Sequence, residues 1–406
     1  MSYLVLPFSS INDFKLEFKS EHEIFRKSVR EFVEREVIPR IAEMEKTGTV
    51  PRDLHEKAAQ QGFFGIDIPI EYGGQGGDNL MMVLLCEELC RAYPALSTYL
   101  LVHGLFTYPV LKYGTEDQKR KYLPPIASGE KLAAHASTEA SGGSDPAGMQ
   151  ATAKKINNHW VLTGRKIFIT SGDVANYYLV PARTSPPPSR RERWRGITCF
   201  IVERDWKGVS SSRMEMVGLR ASHTAEVIFD DVKIPEENVL GPVGEGFKIL
   251  MDTYDHGRIG VAAQAVGLAQ NAFEKSLNYA LQRNVFERPI ISYQAIQFYL
   301  ADMLTELLAA RFLTYWAAYL ADQERPEAVF IASIAKAYAT EVAERAAIKT
   351  INIHAGYGVA VENYVDMLLR DAEIMKIYEG TNEIQRMITI RQLLKKVFGV
   401  DILGLS

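Results

Sequence analysis

The sequence predicts a multi-domain α+β protein with an N-terminal all-α domain (1–130), a central antiparallel β domain (131–243) and a C-terminal bundle of long helices (244–406). Three observations carry that reading. Apolar residues recur at helical spacing from about Ser20 to Leu123, short β-branched and aromatic runs between polar turns follow Glu130, and helical spacing returns after Gly246. At 406 residues, 47% hydrophobic and 24% charged, the chain has material for two or three domains of roughly 100–200 residues.

In the first block Phe25, Val29, Val33 and Val37 step by four, and a second helix starts near Arg52 and ends by Gly62. Gly73, Gly74, Gly76 and Gly77 then break the chain before a long apolar helix beginning near Asn79. In the second block, residues 160–170, 177–182, 198–203 and 225–232 read as strands. Segment 184–196 carries Pro186, Pro187 and Pro188 followed by Arg190, Arg191, Arg193 and Arg195. It reads either as a solvated insertion or as an arm that meets a phosphate or a neighbouring subunit. In the third block apolar periodicity runs over about 247–282, 293–322 and 327–353. Helices of roughly 30 residues span about 45 Å and predict a long bundle, in which Ala262, Ala263, Ala265 and Gly267 permit close contact. So much apolar helix surface suits assembly into oligomers.

A formal net charge of -4 gives no electrostatic case for nucleic acid or a membrane surface as the main partner. Small-molecule partners fit better. No apolar run reaches the ~18 residues needed to span a bilayer, and the opening MSYLVLPFSS has no basic region followed by an apolar one. Cys86, Cys90 and Cys199 form no disulfide framework, which predicts a reducing, cytoplasmic compartment, or the mitochondrial matrix if a presequence has been removed. Metal, hydrolase and Rossmann chemistry are unsupported. The histidines show no HExxH pair and no zinc spacing with a cysteine, and there is no GxSxG elbow, no GxGxxG after a strand and no Walker lysine loop.

Two stretches carry candidate chemistry. In Tyr378-Glu379-Gly380-Thr381-Asn382 a carboxylate occupies a break between two helical patterns, where Gly380 suits a positive φ and Thr381 or Asn382 can cap the next helix. It is either a base or an ordinary turn glutamate. Thr138-Glu139-Ala140-Ser141-Gly142-Gly143-Ser144-Asp145 offers amides and hydroxyls to a phosphate or a heteroaromatic edge, or is a plain turn between helix and strand.

The motifs TEASGGSD, KIFITSG, GLRASHTAEVIFDDVKIPEENVLG, DHGRIGVAAQAVG, QRNVFERPI with SYQAIQFYLADM, and RDAEIMKIYEGTNEIQR, in this order, resemble the acyl-CoA dehydrogenase family over nearly the whole chain. The resemblance implies FAD-dependent α,β-dehydrogenation of an acyl-CoA thioester to the 2-enoyl-CoA in fatty or carboxylic acid degradation, by a homotetramer that passes electrons to an electron-transfer flavoprotein. An acyl thioester has a weakly acidic α C–H, so the reaction needs a carboxylate held against it and hydrogen bonds to the forming enolate oxygen.

Carried over residue by residue, the resemblance makes Glu379 the base and Gly380 a substrate neighbour, with Thr381, Asn382 and Glu383 at FAD. It sets His135, Thr138, Gly143 and Ser144 along the flavin, Ser144 also at substrate, and Phe168, Ile169 and Thr170 at the ring's other face. Asp255, His256, Gly257 and Arg258 would meet the CoA portion. Arg283, Phe286 and Gln294, some reaching a neighbouring subunit's cofactor, and Asn352, His354, Ala355 and Gly356 would touch FAD. Tyr99, Leu100, His103 and Phe106, on the helix after Pro94, would lie near the acyl tail.

There are departures from the family pattern. Phe168 stands where tryptophan is common, and residues 352–356 replace a glutamine-led, double-glycine segment, which leaves His354 either a packed core histidine or an added cofactor contact. Some branched-chain members carry the base beside the later arginine; Gly257 there leaves Glu379. The alternatives are a flavin oxidase or monooxygenase on this fold, against which Glu379 and Arg258 argue, and a redox-inactive scaffold, which predicts a colourless protein.

Overall fold

The computed structural model describes residues 15–399. In chain order the helices are α1 (Ser20–Phe32), α2 (Ile41–Thr47), α3 (Arg52–Gln60), α4 (Asn79–Cys90), α5 (Pro94–Leu101), α6 (Gly104–Tyr113), α7 (Glu116–Ala127), α8 (Gly246–Gln282), α9 (Gln294–Asp322), α10 (Ala328–His354), α11 (Asp366–Ile377) and α12 (Asn382–Phe398). The strands are β1 (Ala133–His135), β2 (Thr152–Ile156), β3 (His159–Ile169), β4 (Tyr177–Arg183), β5 (Ile197–Glu203), β6 (Val209–Arg213), β7 (Ala225–Pro235), β8 (Val239–Leu240), β9 (Asn284–Val285) and β10 (Arg288–Pro289). The chain folds into two compact units: one of residues up to 38, 79–94 and 258 onward, the other of 39–78 and 95–257.

The first unit is helical apart from the short β9–β10 pair. α10 packs against α9, α11 and α12, while α4 packs against α1 and α9. The expected close approach is real: a Cβ on Gly267 would stand 2.3 Å from the Glu87 carbonyl oxygen, so α8 meets α4 backbone to backbone. Apolar residues spaced strictly by four drift off one face of a helix with 3.6 residues per turn. The chain absorbs this by widening after α1 into a π-helical turn, Val33–Val37, which keeps Val29, Val33 and Val37 all buried. Two carboxylates are also buried here. Glu88 accepts from Arg26, Arg30 and Arg91, and Glu87 from Arg26, Arg311 and Tyr315. Burial would raise the Glu88 carboxyl, yet Arg30 and Arg26 hold it below the usual range.

The second unit is built on an eight-stranded sheet of order β6-β7-β3-β2-β4-β5-β8, with β1 paired off that path to β4. The sheet is rich in antiparallel pairs but not purely antiparallel: β1 and β2 both pair parallel to β4. Sequence reading finds β3, β4, β5 and β7 and misses the others for a physical reason. β2 (TAKKI) buries one residue and β6 (VSSSR) none, so neither shows apolar alternation. Along β4 and β5 both faces are buried. Leu179, Cys199 and Ile201 pack with Phe106, Tyr122 and Leu123 of α6 and α7; Tyr178, Val180, Phe200 and Val202 pack with Trp160, Leu162 and Phe229.

Candidate functional site

α11 stops at Ile377 and α12 starts at Asn382, so Glu379 does sit on a joint between helices. Its backbone is left-handed, with φ 52, and Gly380 follows at φ 92. A glutamate in that region carries a strain of order 1 kcal/mol that surrounding contacts must offset. They are present. The Lys336 ammonium, fully buried on α10, donates to the carbonyls of Lys376 at 3.1 Å and Gly380 at 2.9 Å and to Asn382 Oδ1 at 3.0 Å. Gln385 Nε2 donates to the Glu379 and Gly380 carbonyls at 3.3 and 3.0 Å, and the Tyr378 hydroxyl donates to Gln264. Of the two cap candidates, Thr381 is the cap: its side chain accepts from the Ile384 amide. Asn382 instead turns inward, where Lys336 and Thr340 donate to its Oδ1, while Glu383 stays exposed in the first turn.

In the same unit a cavity of about 710 Å³ opens between the β9–β10 hairpin and the end of α10. Its lining unites Arg283 and Phe286 with His354, Ala355 and Gly356. His354 is both packed and available: its Nδ1 donates to Thr350 O at 2.8 Å and its ring stacks on Tyr279 at 4.2 Å, yet it still lines the cavity. Asn352 and Gln294 are exposed and lie outside the lining. Ala355 has φ 50 and ψ -125, a conformation that favours glycine. The prediction is that Ala355→Gly raises stability by about 1 kcal/mol, read as a shifted urea midpoint with an unchanged slope.

In the second unit, the loop after β1 is anchored from below. Glu139 accepts from the amides of Gln150 at 2.6 Å and Ala151 at 3.0 Å and from the buried Lys166 ammonium at 2.8 Å. That leaves Gly143 and Ser144 exposed at its tip and Thr138 half-buried. Across the sheet, the β3–β7 register shifts between Lys166 and Ile169, and the bulge sends Phe168 outward at φ 57, 53% exposed, with Ile169 buried and Thr170 half-buried. His135 donates or accepts with the Tyr254 hydroxyl at 3.3 Å, and burial pushes it down to about 4, so it is neutral. The arginine-rich segment is no free insertion. Arg183 donates to the carbonyls of Ala147, Arg193 and Arg195, and Arg193 pairs with Asp145 at 2.6 Å, folding the segment onto the 138–148 loop.

Tyr99 and Leu100 lie on α5, but the helix stops there; His103 precedes α6, which carries Phe106. The His55 Nε2–H donates to Gly129 O, so its Nδ1 accepts from the Tyr99 hydroxyl at 2.9 Å. His103 donates from Nε2 to Phe64 O at 3.0 Å, and burial pushes it down to about 4. His256 stacks on Tyr108 at 4.3 Å and lies 3.9 Å from Asp67; Asp255 and Gly257 are half-buried beside it. Arg258 is only 4% exposed.

Sequence profiles for the acyl-CoA dehydrogenase N-terminal, middle and C-terminal domains match residues 19–130, 134–232 and 244–394. An acyl-CoA dehydrogenase of Bacillus subtilis is 43% identical over 92% of this chain and 98% of its own length. The chain belongs to the acyl-CoA dehydrogenase family. A caffeyl-CoA reductase–Etf complex subunit of Acetobacterium woodii is 41% identical over 93% of this chain and 100% of its own. The solved butyryl-CoA dehydrogenase of Megasphaera elsdenii superimposes with a TM-score of 0.89 at 38% identity, covering 94% of this chain and 100% of that one.

As an acyl-CoA dehydrogenase the protein is an oxidoreductase whose cofactor is FAD. Its residues fit that group. Phe168 displays an aromatic face, Arg283 supplies a cation at a largely apolar cavity, and a Cβ added at Gly356 would meet nothing within 4 Å, leaving its backbone open to approach. Sequence reading missed Lys336, Lys166 and Gln385 as supports of the acyl-CoA dehydrogenase motifs. The one available signal was a lone lysine in each apolar run, IASIAKAYA and RKIFI. Among the described residues no acidic, histidine or cysteine cluster could hold a metal, and no helix is long and apolar enough to cross a membrane.

Proposed function

We propose that this enzyme removes the α-proton and β-hydride of an acyl-CoA thioester, with Glu379 as the base. The observation that carries this reading is the joint. The Glu379 carboxylate sits on left-handed backbone, followed by Gly380 at positive φ and a helix start capped by Thr381, so its main-chain position is fixed at the break. A Glu379 carboxylate oxygen takes the α-proton, and the Glu379 amide donates to the thioester oxygen, which gains charge as the proton leaves. FAD, when bound, accepts the β-hydride. Phe168, Ile169 and Thr170 would hold the flavin from one side and His135, Thr138, Gly143 and Ser144 from another, Ser144 also meeting substrate. His135 is neutral there and adds no charge beside the cofactor. Asp255, His256, Gly257 and Arg258 hold the CoA portion, Gly380 contacts the thioester region, and Tyr99 and His103 border the acyl tail.

The cavity lined by Arg283, Phe286 and residues 354–356 would hold part of FAD, some of these residues reaching the cofactor of a neighbouring subunit, and Gln294 and Asn352, outside that lining, would add contacts to it. Asn382, whose side chain is committed inward, serves FAD through its backbone, beside Thr381 and Glu383. Assembly into a homotetramer is supported by an uncovered apolar stripe on α9, where Leu304, Leu308 and Phe312 follow at four-residue steps and are 41%, 52% and 44% exposed. Leu308→Asp with Phe312→Asp is expected to break the assembly, read by sedimentation as loss of the tetramer, with release of FAD.

The electron acceptor in this reading is an electron-transfer flavoprotein, as the relative named for an Etf complex suggests. The same groups serve the reverse reaction, reduction of an enoyl-CoA. In this reading the domains are 1–130, 131–243 and 244–406, and the buried thiols with bacterial relatives favour a cytoplasmic setting. A panel of saturated CoA thioesters, mixed anaerobically with the purified enzyme and followed by flavin bleaching, tests the reading. Bleaching by at least one acyl-CoA supports it; no bleaching by any saturated thioester overturns it. Rapid reoxidation by dioxygen alone would instead favour the oxidase.

A further inference from the structure

We infer that Lys336 is a positioning residue for Glu379: one buried ammonium ties the carbonyls on both sides of the glutamate to the start of α12, fixing the left-handed joint while setting a positive charge near the carboxylate. This rests on the assignment of Glu379 as base. The geometry is specific. Lys376 O precedes Glu379 by three residues, Gly380 O follows it by one, and Asn382 Oδ1 belongs to the first residue of α12, so a single atom, Lys336 Nζ, spans the whole break.

Three acceptors require three N–H donors. A neutral amine has two, so only the ammonium satisfies the node. Thr340, one turn along α10, donates to the same Asn382 oxygen, and Gln385 donates to the Glu379 and Gly380 carbonyls, so the node is braced from α10 and α12 together. Lys336 is fully buried.

Charges from several elements face this ammonium. Glu379 on the joint, Glu383 on α12 and Glu341 on α10 favour its proton, and Arg258 on α8 opposes it. Burial pushes the ammonium down to about 7, with Glu379 the largest of the influences that resist. Lys376 on α11 is occupied by Glu344 at 2.7 Å and Glu373 at 2.8 Å, and Arg386 on α12 pairs with Glu341. An opposite charge placed near a carboxylate favours the ionised form, which is the form a base requires.

The test uses the FAD-loaded enzyme and the variants Lys336→Met, Lys336→Gln and Lys336→Arg. The rate of flavin bleaching and the KM for thioester are measured from pH 5 to 9, together with thermal melting. For Met and Gln, kcat is expected to fall by about 10- to 100-fold with little change in KM, and the acidic limb of the rate profile to move up by about one pH unit. Lys336→Arg keeps the charge and is expected to leave the limb near its original pH.

An acidic limb that stays in place in both neutral variants overturns the inference, even if their melting points fall, because a purely structural lysine would lower stability without moving the limb. Failure of one neutral variant to fold leaves the limb readable in the other. If both fail, restoration by Lys336→Arg of folding but not of the limb also overturns it. Glu379→Gln separates the two ideas. If that variant stays active, the base assignment fails; if it is dead while Lys336→Met behaves as wild type, only the role of Lys336 fails.

Discussion

Glu379→Gln is expected to yield a folded, yellow enzyme that binds thioester and reduces its flavin about 10³-fold more slowly than wild type. Glutamine matches glutamate in size and suffers the same left-handed backbone, so the joint, the Thr381 cap and the Lys336 node persist. What disappears is a group able to take a proton, and a positioned base is worth about 10² to 10⁴ in rate. Anaerobic stopped-flow at 450 nm reads the effect directly. Equal flavin content and a thioester-induced spectral shift establish that binding survived. Retention of wild-type bleaching would remove Glu379 from the mechanism.

Lys166→Met should be the most damaging change in the sheet unit, by about 3–5 kcal/mol in urea unfolding at pH 7. The substitution leaves the Glu139 carboxylate, 6% exposed, with two backbone amides and no countercharge. In the wild type, burial raises this carboxyl, but Lys166 and the two amides outweigh that and hold it below its usual value. Its stabilising contribution is therefore present at neutral pH and lost as pH falls through the depressed value. In the variant the carboxyl titrates higher, so protonation relieves it earlier and the deficit shrinks between pH 7 and 5. Adding Glu139→Gln should recover most of the loss, because a neutral pair has no uncompensated charge. The same variant should lose FAD more readily, since Glu139 anchors the loop that carries Gly143 and Ser144. A Lys166→Met protein as stable as wild type at pH 7 would refute the argument.

The long helices were legible because α8, α9 and α10 repeat apolar residues over seven or more turns, and their predicted ends fall within a residue or two of the observed ones. The joint was legible because glycine and a capping threonine are local signals. What surrounds it was not. Lysine normally reads as surface, and nothing near Lys336 in sequence announces that its three acceptors lie 40 to 46 positions away. The cavity is opaque for the same reason: Arg283 and residues 354–356 are brought together by the packing of helices, and only motif resemblance linked them beforehand. The positive φ of Glu379, Phe168 and Ala355 is invisible too, since none is a residue type that seeks that conformation.

Glu379 sets stability and activity against each other at a single position. Any side chain at φ 52 strains the backbone, and glycine alone would release that strain. A search for sturdier variants that scored only resistance to unfolding would therefore drift toward Glu379→Gly and discard the reaction. The carboxylate is retained against the preference of its own main chain, and other sites chosen for hardening should be sought away from this break.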